Sequence, residues 1–225
     1  MTALIFILTP EAVHIALDSL ALQPVTGRPF LHVTKLFPLP HLGSVMCGTG
    51  AMFVVLDWFV FIERQILANG LRLLDELAPR VLPGIGKEHG LSESMTATIY
   101  HFGYLQDEQR FAGFAYRSNN GFKSERLEYG LGMKPPHEDL MNLGAQWVSD
   151  EGVAQGFDRM MEQMKARDDS LTPEKRVGIG GEIHQISLLS KTTYLVHVSH
   201  RFDDYHDAFK EMQETLRDIN QKAQG

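Results

Sequence analysis

Cysteine is almost missing from this chain. Cys47 is the only one in 225 residues, which excludes an internal disulfide framework and suits a reducing cytoplasm. Basic runs are missing too. The 21 Lys and Arg residues face 28 Asp and Glu, a formal net charge of −7, and no cluster of cations stands ready to neutralise phosphates, so a nucleic-acid surface is not expected. Long apolar runs are absent: the most apolar stretch, Met52–Ile62, is interrupted by Asp57 and falls short of the ~18 residues of a membrane span. Met1–Leu8 has no basic n-region and runs into Pro10 and Glu11, so it does not read as a signal peptide. Gly84-Ile85-Gly86-Lys87 lacks the spacing of a phosphate-binding loop, and Glu88 stands where the Ser or Thr belongs, so the sequence calls for no nucleotide or other cofactor. The ten histidines are scattered. His14, His32, His101 and His184 stand singly in strand-like runs. His197 and His200, three apart on a strand, are expected on opposite faces, so no metal site is expected.

What remains is an ordinary globular composition, 44% hydrophobic and 22% charged, in a length that suits one domain over residues 1–225. Residues 1–50 divide into four apolar, β-branched-rich runs separated by turn residues, which predicts four strands in antiparallel hairpins. After Gly50 the period changes. Residues 51–67 read as an apolar helix ended by Asn69-Gly70, and 71–81 as a second helix stopped near Pro79 or Pro83, with 83–92 a loop. The first helix is apolar around much of its circumference, so it needs a second neighbour, in its own domain or in another subunit.

Three alternating, aromatic-rich runs follow at 94–104, 110–117 and 122–129, with Asn120-Gly121 a strong hairpin signal. Gly130-Leu131-Gly132 reads as a turn leading through Pro135-Pro136 into helices over 138–148 and 151–167, the second with Met160, Met161 and Met164 facing inward. A loop, two strands over 181–189 and 193–199, and a helix over 206–221 complete the chain. Helices grouped in pairs between groups of antiparallel strands argue against a parallel βαβ sheet. Two sheets packed face to face and covered by helices on both outer sides would bury every apolar face, so the predicted class is α+β, a four-layer αββα sandwich.

Within the first fifty residues three side chains carry chemistry: Thr2, Asp18 and Lys35. Removal of Met1 would leave Thr2 with a free amine beside its hydroxyl, and that amine can serve as the base that activates the hydroxyl. An α-amine has an ordinary pKa of about 7.7–8.0, and a lysine ammonium beside it disfavours its charged form. Asp18 and Lys35, one acid and one base in otherwise apolar runs, would pair, holding the lysine charged and aimed. The N–H of Gly48, placed before a helix, is a candidate oxyanion donor, and a glycine there leaves room for a substrate backbone to lie close. Taken as residue types alone, Thr2 reads as an ordinary second residue and Asp18–Lys35 as a structural ion pair; the ordered spacing and the Gly48 turn are what favour an active nucleophile.

Thr2, the Ala16-Leu17-Asp18-Ser19 turn, the Thr34-Lys35-Leu36-Phe37 strand and the Cys47-Gly48-Thr49-Gly50 turn together resemble the proteasome β-subunit family. That family includes the HslV-type peptidases and the Anbu-type proteasome homologues, all N-terminal-nucleophile (Ntn) hydrolases. Asp18 lies 16 positions after Thr2 and Lys35 33 positions after it, within one residue of the family pattern. The resemblance implies the αββα sandwich, a threonine-type peptidase or amidase with Thr2, Asp18, Lys35 and Gly48 in the site, and a homo-oligomer built as rings or helical stacks. It also implies peptide or protein substrates and, for an HslV-type relative, a separate ATP-driven unfoldase. Ala21, Leu31, Met46, Thr49 and Phe53 would flank the cleft as an apolar pocket.

Two positions depart from the family. Where it carries a hydroxyl in a Gly-Ser-Gly-like turn, this chain has Leu131. Where it carries an Asp before a Gly-Gly pair, this chain has Gly178, and Ser187 or Asp169 are candidates to compensate for these losses. These departures keep two other readings open: a catalytically silent assembly protein with the same fold, and a small-molecule amidohydrolase.

Overall fold

The computed structural model describes residues 2–23, 26–65, 69–172 and 175–223, with side chains described through 217. Strands β1 Leu4–Leu8, β2 Val13–Asp18, β3 Leu20–Leu22, β4 Pro29–His32, β5 Leu36–Leu39 and β6 Ser44–Gly50 precede two helices, α1 Met52–Gln65 and α2 Leu71–Glu88. Then come β7 Ala97–Leu105, β8 Arg110–Arg117, β9 Ser124–Arg126 and β10 Gly130–Lys134, a helix pair α3 Glu138–Glu151 and α4 Val153–Ser170, two strands β11 Glu182–Leu188 and β12 Tyr194–Arg201, and α5 Tyr205–Ala223. They form two five-stranded sheets, ordered β10-β1-β2-β11-β12 and β5-β6-β7-β8-β9, and a separate β3-β4 ribbon. Every pairing is antiparallel.

Among the described residues, strand alternation sorts most of the apolar residues into three cores, one for each gap between four layers. A smaller cluster of Leu20, Ala208 and Met212 lies where α5 covers the β3-β4 ribbon. Leu4, Leu8, Val13, Ile15 and Leu17 of the first sheet meet Leu36, Val45, Cys47, Tyr100 and Phe102 of the second between the sheets. The other face of the first sheet, with Ala3, Ile5, Ala16 and Ile183, packs on Phe157, Met160, Met161 and Met164 of α4. The other face of the second, with Phe37, Met46, Ile99 and Tyr116, packs on Val54, Trp58 and Ile62 of α1 and Leu74, Ala78 and Leu82 of α2. The fold is the α+β αββα sandwich, and the methionine cluster of α4 is core.

Several elements differ from the sequence reading. The four strands expected in residues 1–50 are six, because the second run breaks at Ser19 and the third between His32 and Leu36. The breaks let the β3-β4 ribbon leave the sheets, with Val33 N–H closing onto Ser19 C=O at 2.8 Å. Helix α2 does not stop at its prolines but runs through both. Pro79 and Pro83 free the carbonyls of residues 75 and 79, four positions back. The helix survives because those prolines occupy its outer flank while Leu71, Leu74, Ala78, Leu82 and Ile85 are buried on the other. Gly84–Lys87 is therefore helix rather than loop. The strand expected over 122–129 shrinks to Ser124–Arg126, and Gly130-Leu131-Gly132 is an edge strand rather than a turn. A register shift between Ile183 and His184 sets His197 opposite Gln185 and His200 opposite Ile183, so these two histidines share a face instead of opposing each other.

Candidate functional site

Asp18 is the last residue of β2 and Lys35 the last before β5, so both stand where their runs break. Both are buried. Lys35 Nζ donates to Asp18 Oδ1 and Oδ2, each at 3.1 Å, and to Leu20 C=O at 2.7 Å. Asp18 also accepts the N–H of Ala3 at 2.9 Å and that of Gly180 at 3.4 Å. The carboxylate thereby ties the start of β1, immediately after Thr2, to the lysine and to the loop before β11. Burial pulls the Lys35 ammonium down from its ordinary range, and Asp18 opposes that shift by charge and hydrogen bonding. Thr2 sits beside this pair with only 3% of its surface exposed.

Gly48 lies within β6 opposite Ile99, two residues before the strand ends. A Cβ there would stand 2.4 Å from Val55 Cγ2 on α1. Its side-chain space belongs to the helix behind it, so packing of α1 on β6, rather than room for a substrate, is what demands glycine. The pocket residues scatter. Ala21 and Leu31 pair across the β3-β4 ribbon and Phe53 is partly exposed on α1, but Met46 is wholly buried in the core between β6 and the helices. That removes it from a pocket lining. Thr49 is buried between the sheets, its hydroxyl without a partner. Cys47 is buried too, and its thiol is pushed well above the ordinary range, which leaves it inert.

Neither departure from the family pattern lies where the sequence alone would put it. Leu131 pairs with Ile7 and packs toward α3 and α4, away from the gap between the sheets. Opposite Phe6, a Cβ on Gly132 would stand 2.2 Å from the ring, so this strand keeps glycine to let the Phe6 ring lie across it. Neither the Ser187 nor the Asp169 side chain turns to Gly178: Ser187 Oγ bonds His14 Nδ1 at 2.7 Å, and the Asp169 carboxylate meets Lys165, while its carbonyl accepts from Arg176 at 2.6 Å. Asp168 does. Buried at the end of α4, it accepts the N–H groups of Val177 at 2.7 Å, Gly178 at 2.8 Å and Ile179 at 3.2 Å. Ser19 Oγ accepts the N–H of Glu182 at 2.8 Å, and Leu20 N–H donates to Gly180 C=O at 3.0 Å. The loop that carries Gly180 to Asp18 is thus held from both sides. Asp168 had one sequence signal: with Phe157, Met160, Met161 and Met164 it falls on the buried face of α4, where an unpartnered carboxylate is not tolerated.

Two open grooves, of about 410 and 500 Å³, lie elsewhere. The first runs along Pro10, Tyr104, Arg110 and Lys191, at the end of β1 remote from Thr2, and the second along Glu162, Lys165, His200 and Asp204 beside α4. Among the described residues no group of three His, Cys, Asp or Glu side chains comes together that could hold a metal ion.

The arrangement of layers recurs in solved structures. An Anbu (Gly-1) mutant from Hyphomicrobium sp. strain MC1 matches 98% of this chain over 97% of its own, with a TM-score of 0.56 at 13% identity. The chain has the Anbu fold. Anbu (ancestral beta-subunit) from Yersinia bercovieri matches 99% of the chain over 97% of its own, with a TM-score of 0.54 at 13% identity. A further Anbu from Hyphomicrobium sp. strain MC1 gives 0.54 at 14% identity, with coverage of 99% and 97%. By sequence the chain matches no protein-family model and no curated protein. The likeness to the Anbu structures is therefore one of fold, shared through shape. Within the Anbu fold, the buried Asp18–Lys35 pair is fixed at the start of β1 in this chain by its own hydrogen bonds.

Proposed function

We propose that this chain is a proteasome-like N-terminal threonine hydrolase, a peptidase or amidase that works as a homo-oligomer in the cytoplasm on peptide or protein substrates. The observation that carries the reading is the buried Asp18–Lys35 pair, hydrogen-bonded through Ala3 N–H to the start of β1, beside Thr2. Burying such a pair is costly unless it is well hydrogen-bonded, and this one is held by Ala3 N–H, Gly180 N–H and Leu20 C=O at the very place where Thr2 enters β1.

With Met1 removed, the Thr2 amine takes the proton of its own hydroxyl as Oγ attacks the carbonyl carbon of the scissile amide. The Lys35 ammonium keeps the free amine neutral and ready for this step, and Asp18 holds Lys35 in position. Gly48 N–H is the candidate donor to the oxyanion. The amine then returns the proton to the leaving nitrogen, and water hydrolyses the ester to release the acid and restore Thr2. Assembly is supported by α1, where Phe53, Leu56 and Val60 lie along one exposed stripe and offer the second face that the helix's composition requires. Among the described residues no helix is long and apolar enough to cross a membrane.

The deep burial of Thr2 favours a second reading, a silent scaffold that keeps the fold without the chemistry. Turnover of fluorogenic peptides by the purified chain and by Thr2→Ala separates them. Peptide cleavage that Thr2→Ala abolishes supports the hydrolase. Cleavage of small amides alone makes it an amidohydrolase, and dependence of folded-protein cleavage on an added ATP-driven unfoldase identifies that partner. Intact oligomers with no turnover at all support the scaffold.

A further inference from the structure

The face of β10 that looks between the sheets carries Gly130, Gly132 and Lys134, since Leu131 and Met133 pack the other way. Lys134 pairs with Leu4, two residues from Thr2. Its Nζ crosses to the second sheet and donates to Thr98 Oγ1 at 2.8 Å. Thr98 stands directly opposite Thr49, the residue after Gly48, and such opposed side chains lie about 5 Å apart. The ammonium therefore ends between the sheets, at the end of the sandwich where β1 begins and β6 finishes, over the same stretch of β6 that holds Gly48.

Among the described residues no carboxylate pairs with it. The charge that acts on it is another cation, Arg117, which is itself occupied by Glu125 at 2.9 Å and by the Tyr100 ring, 6.0 Å from its Cζ. Next to Thr98 lies the buried Thr49 hydroxyl that has no partner. Burial and Arg117 draw the Lys134 ammonium down to about 8, as befits a cation without a counter-charge. In a chain of net charge −7, an unneutralised cation and an unused buried hydroxyl at one end of the sandwich describe a site short of one anion.

We propose that Lys134 selects substrates that carry a carboxylate close to the amide they present to Thr2. This rests on the hydrolase reading for its chemistry, but not for its binding. One ammonium flanked by two threonines suits a single carboxylate better than a phosphate, for which Arg117 is already committed to Glu125. The carboxylate is either an acidic side chain or a free chain end.

The test titrates the full-length protein with matched N-acetyl peptides, Glu against Gln at one position, each ending in a carboxylate or an amide. The expected result is binding about tenfold tighter for the charged form, the size of one charge-assisted hydrogen bond. A preference for Glu over Gln identifies a side chain, and one for the acid over the amide terminus a chain end. Lys134→Gln abolishes the preference and Lys134→Arg keeps it. If Lys134→Gln does not fold, the wild-type and Lys134→Arg preferences decide alone. Equal binding of charged and neutral peptides, or no binding, overturns the proposal. Labelling of Thr2 by an electrophile is read separately: labelling without charge preference sinks this inference only, and charge preference without labelling sinks the hydrolase reading only.

Discussion

Asp18 and Lys35 neutralise each other in a buried site, and that makes each intolerant of the other's loss. Asp18→Ala leaves a buried ammonium with one carbonyl, and Lys35→Met leaves a buried carboxylate with two N–H groups. Each single change is expected to cost about 3–5 kcal/mol in urea unfolding. The double change Asp18→Ala with Lys35→Met removes both charges and is expected to cost far less than the sum of the singles, which a double-mutant cycle reads directly. His101 makes a second residue-scale prediction. Trp58 Nε1–H donates to its Nε2 at 2.8 Å, and burial pulls its pKa down to about 3. The unfolded chain, with an ordinary histidine near 6.5, therefore binds a proton that the folded chain refuses. Stability is full above that value and falls as pH drops from 6.5 toward 3. Between pH 7.5 and 5 the loss is about 2 kcal/mol, and His101→Gln, compared at the same two values, is expected to lose that much less. Asp18 and Lys35 were legible in the sequence because a charge in an apolar strand run is conspicuous. Lys134 and Asp168 were not, because each gains its meaning from a partner brought up by the fold: Thr98 across the sandwich, and three N–H groups in a loop that follows α4.

Elements were legible where periodicity was long and unbroken, as in β7, β8, α4 and α5. They were misread where local chemistry and tertiary packing disagree. Prolines 79 and 83 stop a helix in isolation, but here the buried flank of α2 outweighs two lost hydrogen bonds on its outer side. The break between β4 and β5 was invisible because alternation continues through it. Its consequence is what places Lys35, since a continuous strand would keep the lysine within a ladder rather than free to reach Asp18 and Leu20. Gly48 links an element to its neighbour. Gly48→Ala sets a methyl against Val55 and is expected to cost roughly 1–3 kcal/mol by overcrowding, read as a lower urea midpoint. Adding Val55→Ala should recover part of that loss. No recovery would mean that the glycine is needed for its backbone rather than for its packing.

At the scale of the molecule, the αββα order followed from a count of the faces to be covered: three groups of antiparallel strands separated by two helix pairs can bury every apolar stripe as two sheets packed face to face under helices. What the count did not decide is how much surface stays open. Phe53, Leu56 and Val60 of α1 remain exposed, as do Leu195, Val196 and Val198 on edge strand β12, and an apolar helix stripe and an apolar sheet edge are each a place where a second copy can pack. Sedimentation is expected to give particles several times the 25.3 kDa chain mass. Leu56→Glu with Val60→Glu is expected to shift them toward monomer if α1 is a subunit contact, and to leave them unchanged if only β12 is.

The central claim is that Thr2 becomes an N-terminal nucleophile. Intact mass of the native protein, before and after an electrophile that traps N-terminal threonines, tests it most directly. Loss of Met1 and a single adduct that Thr2→Ala abolishes is the predicted result. Met1 retained with no adduct would contradict the account and leave an Ntn-type fold whose work is assembly.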